Sequence, residues 1–202
     1  MPTICTHFAL LRRRMQELSV KFLQDQILDE TSNPTTFIPD IDQLAAFRLL
    51  VHAEIEHFLE AKALENIDAL NRGVGGGGGW MRSFPALLPL ALILEKNITK
   101  EDVTDRQKMS NYVLDIIASA KKKISENNSI KNNAFFFLAI CFGKTVDEID
   151  SVLAGNLNSF GKDRGQIAHN TARNYNVLLS PSSELANVNS IIGQISSFYD
   201  VV

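Results

Sequence analysis

The residues best suited to chemistry lie together near the carboxyl end of the chain, between Gly161 and Asn170. Arg164 carries a permanent positive charge, and His169, five residues later, carries an imidazole that titrates near neutral pH. A cation that binds a phosphate and a group that moves a proton are what metal-free RNA cleavage requires, because the ribose 2′-hydroxyl is itself the nucleophile. The spacing alone leaves the alternative open: an exposed arginine and a histidine that hydrogen-bonds locally.

The setting predicted for Arg164 depends on where its helix begins. Asp163 followed by Gln166 matches a capping box, which predicts a helix from about residue 163 with Arg164 at its first position. Free backbone N–H groups at such a start favour an anion. Arg164 and His169 then lie about 140° apart around the helix, so they do not share a face automatically. The further candidates nearby are Asp163 and Asn170 for orienting the pair, and Lys162 and Arg173 for phosphate contacts.

A second cluster of polar residues falls on the core face of the longest predicted helix. Between Asp40 and Asn71 there is no Gly or Pro, and apolar residues recur at helical spacing. Arg48 lies within that apolar arc, with His52 and Glu56 along its edge at i, i+4 steps. Charges are seldom buried unpaired, so we expect a structural network that bonds neighbouring helices. The alternative places these three residues beside Arg164 and His169 as supporting groups.

The distribution of helix breakers predicts an all-α protein. The chain has 202 residues, and six of its 11 glycines fall within residues 73–79, so long stretches carry no turn signals. We expect a single domain over 1–202: an N-terminal helix in 1–33, a long core helix in 40–72, a Gly-rich linker at 73–79, and a remaining bundle in 84–202 with the motif helix from about 163. The last helix, after Ser180-Pro181, carries a heptad-spaced apolar seam that requires a partner helix.

Charge and residue spacing exclude several functional classes. A net charge of −3 argues against a broad nucleic-acid coat, although a local basic site remains compatible with it. The four histidines lack zinc-site spacing, and no nucleophile elbow is present, so no metal or cofactor is expected. The apolar runs are shorter than the ~20 residues of a membrane span. We therefore expect a cytoplasmic protein with no membrane contact.

Beyond these patterns, the closing part of the chain resembles a HEPN domain. The residues that carry the resemblance are Ile149–Leu153, Leu157–Phe160 and Arg164–Asn170, and they are most similar to the RiboL-PSP branch, in which a helix leads to an Arg followed by Ile-Ala-His. Phe47–Glu60 is similar to the long first core helix of that branch. The resemblance covers roughly Asp40 to Tyr199. It implies an antiparallel helical bundle, here with an extra N-terminal helix, that forms a homodimer.

The resemblance also implies a function. Two Arg/His motifs, Arg164 and His169 of each copy, would meet in one metal-independent endoribonuclease site that cleaves RNA by 2′-OH transesterification. A toxin or antiphage defence role, with an antitoxin or defence-system partner, is typical of the family. The chain departs from the pattern at Gly165, where the family usually has a polar residue. The alternatives are a non-catalytic nucleotide- or protein-binding HEPN module, a toxin subunit controlled by an antitoxin, and a helical adaptor.

Overall fold

The computed structural model describes residues 4–75, 85–169 and 178–202, and this part of the chain is almost entirely helical. Apart from an isolated bridge at Val201, the described ranges contain no β-structure, so the all-α prediction is confirmed. In chain order the helices are α1 (Thr6–Phe22), α2 (Gln24–Ser32), α3 (Ile41–Gly75), α4 (Leu87–Ile93), α5 (Lys100–Thr104), α6 (Arg106–Ser125), α7 (Asn132–Cys141), α8 (Ser151–His169) and α9 (Pro181–Tyr199), with a 3₁₀ turn at Val146–Glu148 before α8.

Backbone contacts divide the chain into two compact units. The first contains the described residues of Met1–Phe58, Ile130–Asn132 and Asp150–Val202. It therefore holds α1, α2, the first half of α3, α8 and α9. Phe58 packs edge-on against Phe8 at 5.8 Å and against Tyr199 at 5.4 Å between ring centroids, a geometry that aromatic pairs favour. These contacts join α1, α3 and α9 in one core.

The second unit contains the described residues of Leu59–Ser129 and Asn133–Ile149. Its core is formed by the inward faces of α6 and α7, and the α7 chain then reverses at Gly143, whose φ of 100° suits glycine. The Asn66 side-chain amide donates to the Cys141 carbonyl at 3.0 Å and ties α3 to the end of α7. The prediction of a single domain over 1–202 stays a prediction.

Several predicted boundaries are wrong, and local contacts explain why. The single helix expected over the first 33 residues is interrupted at Leu23, which is fully buried with φ −116°. The helical spacing of apolar residues such as Val113, Ile116 and Ile117 also predicts one helix from Asp102 to Glu126. Asp105 instead adopts an extended conformation and accepts a hydrogen bond from the Lys108 N–H at 2.9 Å, so it starts α6 as an N-cap.

Other predicted elements fit more closely. The expected long core helix over 40–72 is α3, which continues to Gly75, so the first residues of the Gly-rich stretch are helical. The rest of that stretch lies outside the described residues. Phe37-Ile38, proposed as a short strand, is not one, and of the second proposed strand, 177–179, the first residue is not described.

Candidate functional site

The helix that carries Arg164 begins much earlier than the sequence predicts. The Asp150 carboxylate accepts hydrogen bonds from the N–H groups of Val152 and Leu153 at 2.8 and 3.1 Å, which caps α8 at Ser151. The capping box of Thr145 and Glu148 is present, but it closes only on the 3₁₀ turn. The predicted helix start at residue 163 is therefore wrong.

The position of Arg164 changes as a result. Asp163 lies in the interior of α8 and caps nothing, and Arg164 is not at a first helical position. The free N–H groups expected to favour an anion are not at this point of the helix, because only the first turn leaves them unbonded. Any affinity of Arg164 for an anion must come from its own guanidinium.

Gly161 does not interrupt α8, and a close approach of neighbouring side chains explains its presence. A Cβ at this position would lie 2.9 Å from Cγ of Lys131, 3.4 Å from Cγ1 of Ile130 and 3.7 Å from Nε2 of His52. Gly161 is itself buried, so Lys131 and Ile130 come this close to α8 only because residue 161 has no side chain, and His52 lies at an ordinary contact distance beside them. This contact brings His52 of α3 next to the turn that carries Arg164.

Arg48 lies at the centre of a buried ion network. Its side chain is 1% exposed and makes two parallel hydrogen bonds to Glu184 of α9, which is 0% exposed. The Nε to Oε2 distance is 3.1 Å, and Nη2 donates to Oε1. Nη1 donates to Oδ2 of Asp163 on α8 at 2.9 Å. The prediction that Arg48 bonds neighbouring helices from a core face is confirmed.

Two further contacts fix the Arg48 network in place. The guanidinium carbon of Arg48 lies 5.3 Å from the centroid of the Phe160 ring, within the range of a cation–π interaction. Glu184 Oε1 also accepts the backbone N–H of Leu179 at 2.9 Å. The network therefore links α3, α8 and α9, and its carboxylates are already engaged by Arg48.

His52 lies beside this network and is held neutral. It is 2% exposed and stacks on Phe160, with ring centroids 6.5 Å apart. Burial, followed by the positive charges of Arg164 and Lys131, lowers the pKa of His52 from 6.5 to about 4. Its Nδ1 is buried without a hydrogen-bond partner, because the Oε2 atom of Glu56 is 3.7 Å away.

Arg164 lies on the half-buried side of α8, one turn after Phe160. Its Nε atom is buried and makes no hydrogen bond within the described part of the chain. No ion pair joins Arg164 to a carboxylate of the described residues either, whereas Asp163 is bonded to Arg48. The positive charge of the Arg164 guanidinium is therefore not neutralised by an ion pair with a described carboxylate.

The structure brings together four of the residues singled out from the sequence, and it leaves others apart or outside. The four that meet in the first unit are Arg48, His52, Asp163 and Arg164. Glu56 lies at the edge of this cluster, and Lys162 is exposed on α8. His169 is the last residue of α8, but its side chain is not among the described ones. Asn170 and Arg173 lie outside the described residues.

Sequence reasoning missed Glu184, Phe160 and Lys131. Glu184 lies in the first turn of α9, where an acidic residue normally interacts favourably with the helix dipole while exposed to solvent. The local sequence therefore does not indicate that Glu184 is buried. Phe160 was detectable, because it precedes Arg164 by four residues and therefore shares its face. Lys131 comes from a short connection before α7 that carries no helical pattern.

Comparisons with protein-family models, with curated proteins and with solved structures find no match. The HEPN assignment therefore stays a prediction drawn from the motif residues. Within the described ranges, no three His, Cys, Asp or Glu side chains come together as a metal site. In the same part of the chain, no helix combines the length and the apolar character needed to cross a bilayer.

Proposed function

We propose that the protein is a metal-independent endoribonuclease in which Arg164 binds the scissile phosphate and His169 transfers a proton. Cleavage proceeds by attack of the ribose 2′-oxygen on phosphorus and releases the 5′-oxygen, which leaves a 2′,3′-cyclic phosphate. The observation that carries the proposal is the guanidinium of Arg164, which has no carboxylate partner among the described residues. Such a group stabilises the negative charge that builds on the phosphate oxygens.

The Arg48 network supports this role by engaging the competing anions. Asp163 is the residue next to Arg164 and the nearest carboxylate in sequence, and its Oδ2 accepts a hydrogen bond from Arg48 at 2.9 Å. Glu184 is bonded to the same guanidinium. Because Arg48 holds both carboxylates, they do not neutralise Arg164, and an incoming phosphate meets an unpaired cation.

His52 is unsuited to the proton-donating step. With a pKa lowered to about 4, its imidazole is neutral at pH 7 and has no proton to give the leaving 5′-oxygen. The proposal therefore assigns proton transfer to His169 and leaves His52 to pack against Phe160 and Gly161. In this proposal His52 helps to position α8, and His169 is the histidine that reacts.

The proposal includes a homodimer. On an ideal helix, five residues separate two side chains by about 140° and by about 7.5 Å along the axis, so the spacing of Arg164 and His169 does not by itself give one copy a complete site. A second copy related by a twofold axis supplies the missing partner for each group. A toxin or defence role, with an antitoxin as partner, belongs to the same proposal.

The test is cleavage of end-labelled RNA in the presence of EDTA, with product ends identified by phosphatase and kinase treatment. We expect cyclic-phosphate ends from the wild type, and a loss of about 10²-fold or more in His169→Ala and Arg164→Ala, as is typical when a proton-transfer or charge-stabilising group is removed. His57→Ala is the matched control, because His57 is exposed on α3. Equal cleavage by the wild type and His169→Ala, or no cleavage by either, refutes the proposal.

Expression in cells tests the toxin role separately. Growth arrest caused by the wild type and abolished by Arg164→Ala supports it, provided that both proteins accumulate with the same helical circular dichroism. Normal growth with RNA cleavage in vitro refutes the toxin role and leaves the endoribonuclease in place.

A further inference from the structure

A groove of about 570 Å³ runs between α1 and α9 in the first unit, on residues that the proposed RNA chemistry does not use. Met15 and Val188 form its buried floor, and Leu185 and Ile192 are half-buried along the α9 side. Val202 lies at one end and is 46% exposed. The groove therefore combines an apolar floor with a rim that is partly polar, because Gln16, Ser19 and Asn189 also line it.

The groove lies along the half-buried part of the apolar stripe on the last helix. The heptad pattern of α9 predicts a continuous apolar stripe for a partner helix. Val188, Ile195 and Tyr199 of that stripe are buried, whereas Leu185 and Ile192 remain half-buried. Thus α1 covers only one side of the stripe. The side that remains faces the groove.

Both walls of the groove carry rows with the spacing of helix contacts. On α9 the lining residues are Leu185, Val188, Asn189 and Ile192, at i, i+3, i+4 and i+7. On α1 they extend from Ala9 to Ser19, about 15 Å along the axis at 1.5 Å per residue. A surface with this spacing on two neighbouring helices receives a third helix of about three turns.

The charge of the groove is positive along one wall. Arg12 and Arg13 line it from α1 and both are exposed. Arg13 shares a surface pair with Glu17 at 3.2 Å, and Arg12 makes no ion pair within the described residues. Among the residues that the structure describes, no acidic side chain lines the groove. An occupant with acidic residues flanking its apolar anchors complements this wall.

The charge pattern also decides between possible occupants. An isologous contact between two copies brings two of these basic walls into one interface, and the described groove lining offers them no acidic side chain in return. The segments of this chain outside the described residues, 1–3, 76–84 and 170–177, contain no Asp or Glu. Neither a symmetric copy nor these segments supply the acidic flank.

We propose that the α1/α9 groove is a docking site for an acidic amphipathic helix of a protein partner. The helix inserts apolar residues at i, i+3 or i+4, and i+7 between Met15, Val188 and Ile192, and its acidic flank faces Arg12 and Arg13. This inference stands on different residues from the RNA-cleavage proposal and does not require it.

Two fluorescent peptides of about 15 residues test the proposal, since this length spans the groove. Both carry leucines at i, i+3, i+4 and i+7 and are capped at both ends, and they differ only in having Glu or Lys on the flanks. Fluorescence anisotropy measures their affinity for the full chain. We expect the Glu peptide to bind at least about tenfold more tightly, because several rim charge pairs act together.

Variants of the protein locate the site. The double change Arg12→Glu and Arg13→Glu should reverse the preference, so that the Lys peptide binds more tightly. Ile192→Ala should weaken the Glu peptide about tenfold, and Ile192→Glu should abolish its binding. Leu114→Glu is the matched control, because Leu114 is an exposed leucine of α6 that is not among the residues lining the groove, and it should leave binding unchanged.

Three results overturn the proposal. Equal affinity for the two peptides rules out a preference for an acidic partner, and failure of both peptides to bind at millimolar concentration rules out a helix as the occupant. A wild-type dimer in analytical ultracentrifugation that Ile192→Glu converts to a monomer identifies the groove as an interface between copies instead. The helical circular dichroism of each variant is compared with that of the wild type, and Ile192→Ala serves if Ile192→Glu does not fold.

Discussion

Replacing Arg48 by methionine should destabilise the protein strongly, because it leaves a buried carboxylate without its cation. Glu184 is 0% exposed and accepts two hydrogen bonds from Arg48, and after the change its one hydrogen bond within the described residues comes from the N–H of Leu179 at 2.9 Å. Removing one partner of a buried ion pair costs about 3–5 kcal/mol. In a chain of 202 residues, a loss of that size lowers Tm by about 7–12 °C.

A double-mutant cycle separates the ion pair from the packing of the two side chains. Glu184→Gln alone should cost less, about 1–3 kcal/mol, because Arg48 keeps Asp163 at 2.9 Å. The double variant Arg48→Met and Glu184→Gln carries no buried unpaired charge at residue 184, so it should be more stable than Arg48→Met alone. The coupling free energy should reach about 2 kcal/mol.

The measurement is urea unfolding followed by circular dichroism at 222 nm for the wild type, both single variants and the double variant. The Arg14→Met variant is the control, because Arg14 forms its pairs with Glu17 and Glu54 at the surface, where such pairs contribute little. Additive effects of the two changes, or a loss below about 1 kcal/mol in Arg48→Met, refute the reasoning that buried charge pairing holds α3, α8 and α9 together.

Further predictions concern proton binding, helix packing and thiol reactivity. The folded-state pKa of His52, lowered from 6.5 to about 4, means that the unfolded chain binds more protons between these values. The free energy of unfolding should therefore fall by about 2 kcal/mol from about pH 7 to pH 5, and His52→Gln should remove that fall while the exposed-residue control His57→Gln does not. Alanine substitutions at two glycines of α8 should change the free energy of unfolding in opposite directions, as thermal unfolding can measure. Gly165→Ala should raise it by about 0.5–1 kcal/mol, because a Cβ there meets nothing within 4 Å. Gly161→Ala should lower it by about 1 kcal/mol, because its Cβ would lie 2.9 Å from a neighbouring side chain. Burial raises the pKa of the Cys141 thiol, so iodoacetamide should label Cys141 only after unfolding, as peptide mass spectrometry can establish; labelling of the native protein would contradict this.

The fold was predictable from the sequence as far as local signals extend. The long helix was expected from Asp40 to Asn71 and runs from Ile41 to Gly75, because an uninterrupted apolar stripe specifies both its period and its buried face. Its breaks and starts were harder to place. Asp105 and Asp150 act as N-caps in the structure, whereas Asp163, in an equally plausible capping box, lies inside a helix. Only one of two competing caps can start a helix, and tertiary packing selects it.

The candidate site was predictable in its membership more than in its geometry. The sequence indicates that Arg48 falls on a core face and offers its placement beside Arg164 only as an alternative, and the structure brings both to the same part of the first unit. The sequence gives no indication of Glu184, which is 136 residues from Arg48, because a carboxylate in the first turn of a helix is ordinarily exposed. Gly161, whose residue type predicts a break between two helices, is a packing contact inside α8 instead.

The sequence by itself determined the all-α class, the buried face of α3 and the pairing of an arginine with a histidine five residues later. These properties follow from residue spacing within one helix, which is local. Only the tertiary structure decided that Arg48 engages Asp163 and Glu184, that His52 is held neutral beside Arg164, and that Arg164 has no carboxylate partner among the described residues. Charge pairing and desolvation depend on groups more than 100 residues apart in the chain, and helical periodicity carries no information about which helices meet.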